Sequence, residues 1–187
     1  MIQLDHLAVA CTTLEEGRAA VEAALSVPLQ AGGVHATFGT HNLLLGLEDG
    51  LYLEIIAINQ EAPAPDRPRW FDLDRFRGLP RLTNWICRTD DLPATLAQAP
   101  AGTGVPVALE RGDLRWEMAV PDSGILPYAN LFPALIQWHG TAHPAPRLDQ
   151  QGVVLRELVL EPPDAAALTE ALSLVFADPR VRVEPSS

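Results

Sequence analysis

A histidine and a glutamate, each inside an apolar run, are the residues best suited to do chemistry. His6 lies in the run 4–11, and Glu54 is the only charge in LYLEIIAI, residues 51–58. A buried carboxylate must be paired, protonated or bound to a metal, because an isolated buried ion is very costly. Glu54 is therefore a candidate base or ligand and His6 its candidate partner. The alternative is that both are hydrogen-bonded core groups.

Further polar residues could line the same site. His41 and Asn42 stand together at the start of a strand near 40–47, so one of them faces a cleft but not both. His139 and His143 have the i, i+4 spacing of a helical metal pair, but Gly140 and Pro144 favour a loop at the cleft mouth.

A repeat of the opening segment defines the organisation of the chain. Leu4-Asp5-His6-Leu7 leads into a helix at Leu14, and Leu82-Thr83-Asn84-Trp85 leads into a helix at Leu92; both anchors give an offset of 78 (82 − 4 and 92 − 14). Such self-similarity indicates a duplicated unit and places Asn84 opposite His6. Turn residues at 48–50 and 111–113 predict a hairpin in each copy.

The elements predict an α+β chain of two βαβββ modules in one compact domain. We expect module one at 1–60, a proline-rich linker at 61–81, module two at 82–145 and a strand-helix-strand extension at 150–187, with its strand at 153–160 and its helix at 164–177. The linker aromatics Trp70, Phe71 and Phe76 should pack against the modules, because three exposed aromatics are costly.

Composition excludes some partners. The 187 residues carry 24 acidic and 13 basic side chains, a net charge of −11, so neither nucleic acid nor an anionic membrane is an expected partner. Two cysteines, Cys11 and Cys87, do not form a disulfide scaffold, and neither a signal peptide nor a membrane span is predicted. A cytoplasmic location is expected.

The motifs LDHLAVA (4–10), GTHN (39–42) followed by DGLYLE (49–54), and PALIQWH (133–139) resemble the glyoxalase-like domain family of the vicinal oxygen chelate superfamily. That superfamily also includes bleomycin-resistance proteins and dioxygenases. The resemblance implies two half-barrels around a divalent metal, held by the first and last strand of each module. It assigns His6 and Glu54 as metal ligands. Aligning Glu54 with Gln137 and His6 with Asn84 gives amides in module two, which are weak ligands.

Two functions therefore compete. One is a lyase, isomerase or dioxygenase that uses Zn, Ni, Fe or Mn on a small oxygenated metabolite, with Glu54 and His6 catalytic; we favour this enzyme. The other is a metal-free protein that binds or sequesters a small molecule, which the two amides favour. In either case the expected substrate-binding residues are His41, Asn42, Asn84, Gln137 and Trp138. Because superfamily members often dimerise, the resemblance also implies a homodimer.

Overall fold

The structure is a computed structural model that describes residues 1–186. Within these residues the chain has the α+β architecture that the sequence predicts. Its elements, in chain order, are β1 (Gln3–Ala10), α1 (Leu14–Leu25), β2 (Gln30–His35), β3 (Thr40–Gly46), β4 (Tyr52–Ile58), β5 (Arg81–Arg88), α2 (Leu92–Leu96), β6 (Val105–Arg111), β7 (Leu114–Val120), α3 (Pro127–Asn130), β8 (Ala134–His139), β9 (Leu158–Leu160), α4 (Ala165–Ser173) and β10 (Val181–Val183).

The first eight strands form one sheet in the order β2-β3-β4-β1-β5-β8-β7-β6. Each half repeats the same arrangement, since β1 runs parallel to β4 and β5 runs parallel to β8. The halves join where β1 pairs antiparallel with β5. The sheet curls so far that Arg111, at the end of edge strand β6, reaches His35 at the end of edge strand β2. The result is a cleft enclosed by both copies.

The pairing of β1 with β5 reflects the duplication, because its central pair and its two skipped residues are each offset by 78. Leu7 lies opposite Trp85 at the centre, and these residues are 78 apart (85 − 7). On one side the register skips Asp5, and on the other it skips Thr83, again 78 apart (83 − 5). A bulge of this kind re-aims side chains next to it. It brings Asp5 and His6, which are neighbours in sequence, into contact with one another inside the fold.

Helices cover the outer face of the sheet. Val21 of α1, Leu92 of α2 and Leu168 of α4 share one apolar core with outward residues such as Leu7. The expected strand at 153–160 is shorter than predicted: only Leu158–Leu160 is a strand, and it pairs in parallel with Val181–Val183 as a separate two-stranded sheet. Residues before it are engaged elsewhere, since the Val153 carbonyl accepts a hydrogen bond from the Glu48 amide at 2.9 Å.

The linker aromatics pack inward, as expected. Trp70 and Phe71 are buried, and the Trp70 ring stacks on Phe38 with centroids 4.3 Å apart. Phe76 is half-buried beneath the guanidinium of Arg81. The segment is therefore part of the wall on the cleft side of the sheet. No helix in residues 1–186 has the length and apolar character needed to cross a bilayer.

Replacing Trp70 with alanine should lower the free energy of unfolding by about 3–5 kcal/mol, because it empties the space of a large buried ring. It should also speed proteolysis between Pro63 and Pro80. Urea unfolding and limited proteolysis measure the two effects. Leu79→Ala is the matched control, since Leu79 is 84% exposed. Equal effects of the two substitutions would show that Trp70 does not anchor the linker.

Candidate active site

His6 and Glu54 meet in the cleft. Alternation along β4 points Tyr52, Glu54 and Ile56 toward it, and parallel pairing sets Tyr52 beside His6. The two rings stack with centroids 4.3 Å apart. Nε2 of His6 lies 3.7 Å from Oε2 of Glu54, and both side chains are buried. At this separation the two atoms face each other across the cleft without a direct hydrogen bond.

Asp5 is the fully buried carboxylate that orients His6. Its Oδ1 lies 2.6 Å from Nδ1 of His6, and its Oδ2 lies 3.0 Å from Nε2 of His143 and 3.2 Å from Nε1 of Trp138. Burial alone would raise the pKa of Asp5, but the hydrogen bonds and charges of His143 and His6 hold it well below its usual range. Since an ionised carboxylate only accepts, Nδ1 of His6 carries a proton, and Nε2 is the atom that faces Glu54.

Asn42 holds the other oxygen of Glu54. Its Nδ2 donates to Oε1 at 2.6 Å, while its Oδ1 accepts from the Gly33 amide at 2.8 Å, which fixes the orientation of the amide. The backbone of β2 must come very close for this contact. A Cβ on Gly32 would lie 2.0 Å from Oδ1 of Asn42, so only glycine fits there.

A neutral histidine and an arginine extend the network. Nη1 of Arg111 lies 3.2 Å from Nε2 of His35, and Nδ1 of His35 lies 3.1 Å from Oγ1 of Thr40. Burial, and next the positive charge of Arg111, lowers the pKa of His35 to about 3. His35 is therefore neutral near pH 7: it accepts from Arg111 and donates to Thr40.

The cavity that these groups surround is small, with a free volume of about 30 Å³. That is the space of about one water molecule. Trp70 and Phe71 of the linker form part of its wall. The other lining residues are His6, His35, Asn42, Leu44, Tyr52, Glu54, Arg111, Trp116, Met118, Ile136 and Trp138.

Two expected substrate-binding residues do not reach the cleft. Asn42 faces it, so its neighbour His41 points to the outer face of the sheet, beside Thr13 and Ile58. Gln137 is likewise on the outer face, where its Oε1 accepts from the Leu92 amide at 2.8 Å and caps α2. Strand alternation keeps the side chains of both residues out of the cleft, because each is adjacent in sequence to a residue that does line the cavity.

The strand register also corrects the predicted match of Gln137 to Glu54. Ala8 pairs with Glu54, and its repeat mate Ile86 pairs with Ala134, so alanine occupies the position equivalent to Glu54. Asn84 is opposite His6 in the repeat and is buried. Neither atom of its side-chain amide has a hydrogen-bond partner within residues 1–186, and it is not among the residues that line the cavity.

The residues at the four equivalent positions of the two modules determine whether the site can bind a metal ion. Of the four places that a symmetric site would use, two hold His6 and Glu54, one holds an amide and one holds alanine. Residues 1–186 contain no cluster of three His, Cys, Asp or Glu side chains in ligand geometry. Catalytic zinc sites usually have three protein ligands. His6 and Glu54 are thus one ligand short of such a centre and would hold an ion only loosely.

Fold and sequence together define the class. The curled sheet of two βαβββ copies is the vicinal oxygen chelate fold. The chain belongs to the glyoxalase-like domain family, whose profile matches residues 4–176. No protein of curated function matches the sequence.

Solved structures agree on the fold. A hypothetical protein from Staphylococcus aureus has a TM-score of 0.66 at 14% identity, covering 100% of this chain and 87% of that chain. One from Bacillus halodurans has a TM-score of 0.50 at 13% identity, covering 76% and 96%. Methylmalonyl-CoA epimerase from Mycobacterium tuberculosis has a TM-score of 0.47 at 20% identity, covering 74% and 88%. At these identities the first two structures share the fold with this chain, and their likeness shows nothing more.

Several site residues escaped the sequence analysis. Asp5 could have been found, since it is a second charge in the first apolar strand. The sequence predicts His143 in a loop at the cleft mouth, but not its contact with Asp5. Arg111 looked like a turn residue, and Trp70 like a surface anchor. His35 offered no signal beyond its residue type.

The free energy of unfolding should fall as pH drops from 6.5 to about 3. Unfolded His35 gains a proton near pH 6.5, whereas the folded chain resists it until about 3, so acid favours unfolding by up to roughly 1.4 kcal/mol per pH unit. Asp5, whose folded pKa is depressed, adds to the loss only below about pH 4. Urea unfolding across pH tests this. Above about pH 4, His35→Gln should weaken the dependence of the free energy of unfolding on pH. His41→Gln, on the outer face, should leave that dependence unchanged.

Proposed function

We propose that this chain is an enzyme of the isomerase or lyase type that moves a proton on a small oxygenated metabolite. The observation that carries the proposal is the buried series Asp5–His6–Glu54, in which contacts of 2.6 Å and 3.7 Å set a titratable pair against a cavity. Of the reaction types that the resemblance implies, proton transfer makes the smallest demand on metal ligands. Buried titratable groups in a cleft are typical of acid–base sites.

Each residue has a definite role in this mechanism. Oε2 of Glu54 takes a proton from the carbon beside a carbonyl; the electrons of that C–H bond form a carbon–carbon double bond, and the π electrons of the carbonyl move to its oxygen. His6 in its protonated form donates from Nε2 to that oxygen, while its Nδ1–H stays bound to Asp5. Where the first carbon bears a hydroxyl, return of the proton to the former carbonyl carbon completes an isomerisation; loss of a group from the next carbon instead completes an elimination.

A metal-assisted version uses the same two residues. Nε2 of His6 and Glu54 would hold the ion, and Asp5 behind His6 resembles the carboxylate that commonly orients a ligating histidine. When bound, the ion would polarise the oxygens of the substrate. With two strong ligands, Zn, Ni, Fe or Mn would be held loosely.

The second candidate is a protein that binds or sequesters a small molecule. The aromatic wall of Tyr52, Trp70, Trp116 and Trp138 favours it, because such rings supply much of the binding energy in ligand pockets. On this view Glu54→Gln would leave ligand affinity within about tenfold, the scale of one neutral hydrogen bond. A homodimer remains part of the proposal on resemblance alone.

Proton transfer predicts exchange of hydrogen for deuterium on carbon. Proton NMR in D2O, with a panel of small 2-oxo and 2-hydroxy compounds, should show loss of the signal from the carbon beside the carbonyl with wild-type protein. Glu54→Gln should slow the exchange by at least about 100-fold, the usual share of a general base. Glu117→Gln is the matched control, because Glu117 pairs with His139 away from the cavity. Exchange that survives Glu54→Gln would contradict the assignment of the base.

Metal content separates the two enzyme versions. Protein purified without chelator or affinity tag should contain much less than one divalent ion per chain by elemental analysis. Added Zn²⁺ or Ni²⁺ should bind weakly in calorimetry, and the binding should disappear in His6→Gln. One tightly held ion per chain would show that further ligands complete the site.

A further inference from the structure

Arg111 is a cation in the cavity wall that lacks a carboxylate partner. Its Nη1 contacts Nε2 of His35 at 3.2 Å and Oδ1 of Asn42 at 3.4 Å, both neutral acceptors. Among residues 1–186 no Asp or Glu oxygen lies within 4.0 Å of its guanidinium nitrogens. The nearby Arg115 and Arg147 differ, since they pair with Glu110 at 3.0 Å and Asp113 at 2.6 Å. Four other arginines of residues 1–186, namely Arg67, Arg77, Arg81 and Arg156, also lack such a partner, but Arg111 is the only arginine among the residues that line the cavity.

A second residue of the cavity wall, Trp70, carries a hydrogen-bond donor that also lacks an acceptor among the described residues. Trp70 is 3% exposed, and its Nε1 has no partner within the described part of the chain, residues 1–186. Buried donors are nearly always paired, so an unpaired indole in a cavity wall points to a ligand. His35 connects the two donors: its ring meets the Trp70 ring edge-on with centroids 5.0 Å apart.

Most acceptor atoms of the site's carboxylates are already hydrogen-bonded. Oε1 of Glu54 accepts from Asn42, which leaves Oε2 as the proposed base, and Asp5 accepts from two histidines and Trp138. Elsewhere Met118, Trp116 and Ile136 make the wall apolar. The cavity therefore presents unpaired donors to an incoming ligand, which is the pattern that recognises an oxyanion.

We propose that Arg111 and the Trp70 indole bind the carboxylate of a small acid that carries an oxygen on the adjacent carbon. This inference rests on the proposed function and names its substrate class. A single amide, that of Asn42, separates the guanidinium of Arg111 from Glu54. A carboxylate on Arg111 thus directs the oxygen of the adjacent carbon toward His6, and the next carbon, which carries the hydrogen that Glu54 removes, toward Glu54. Gly33 permits this placement, since a Cβ there would lie 2.5 Å from Cδ of Arg111.

Indole N–H signals test the proposal directly. The chain has four tryptophans, and Trp70→Phe assigns the signal of Trp70. Nitrogen-15 NMR titrations with pyruvate and L-lactate should move that signal downfield, with affinities at least tenfold above those of pyruvamide and lactamide. The Trp85 signal is an internal control, because its indole donates to the Leu131 carbonyl at 2.9 Å. Arg111→Gln should bring the acid-to-amide ratio near one, while Arg115→Gln should leave it unchanged.

Equal binding of acids and amides to wild-type protein, or an unmoved Trp70 signal, would overturn the proposal even if Arg111→Gln fails to fold. An equal loss in Arg115→Gln would also overturn it. Glu54→Gln separates this inference from the proposed function. One outcome is that the acids bind both wild-type protein and Glu54→Gln while wild type shows no hydrogen exchange on carbon. That result would refute the proposed enzyme activity but support the carboxylate site. Exchange that is as fast in Arg111→Gln as in wild type would refute the site and keep the enzyme.

Discussion

The antiparallel pairing of β1 with β5 is the constraint on which the remaining structure depends. Leu7 and Trp85 face each other at its centre, and each strand then has its parallel partner on the far side. Because strand side chains alternate with a period of two, a slip of one residue would turn His6 out of the cleft. The bulges at Asp5 and Thr83 fix this register at both ends. The position of every cleft residue follows from it.

Burial of Asp5 is what makes the site chemically definite. A carboxylate without solvent contact is tolerated only when donors surround it, and here two histidines and the Trp138 indole do so. The ionised carboxylate of Asp5 in turn determines which nitrogen of His6 faces Glu54. Loss of any of these donors should therefore lower stability and loosen the orientation of His6. In the proposed mechanism, Asp5 thus serves both the fold and the orientation of the acid–base residues.

The sequence predicted the fold because repeat, capping and hairpin signals agree along both copies. It also predicted the meeting of His6 with Glu54, since both follow from strand position. Alternation left His41 and Asn42 undecided, and only the register shows which faces inward. The match of Gln137 to Glu54 was wrong because it compared apolar neighbours, whereas the ladder gives an offset of 80 at this strand (134 − 54). Contacts across the curled sheet, such as Arg111 to His35, have no local signal.

The two copies have diverged in complementary ways. The first retains the titratable groups Asp5, His6 and Glu54, while the second has Asn84 and Ala134 at the positions equivalent to the last two. The second copy contributes Arg111 and aromatic walls instead. In the first copy, hydrogen-bond donors of the protein itself surround the two carboxylates: His6, His143 and the Trp138 indole contact Asp5, and the Asn42 amide donates to Glu54. These donors explain how a duplicated fold can lose half of the ligand positions of a symmetric site and still keep two buried carboxylates stable.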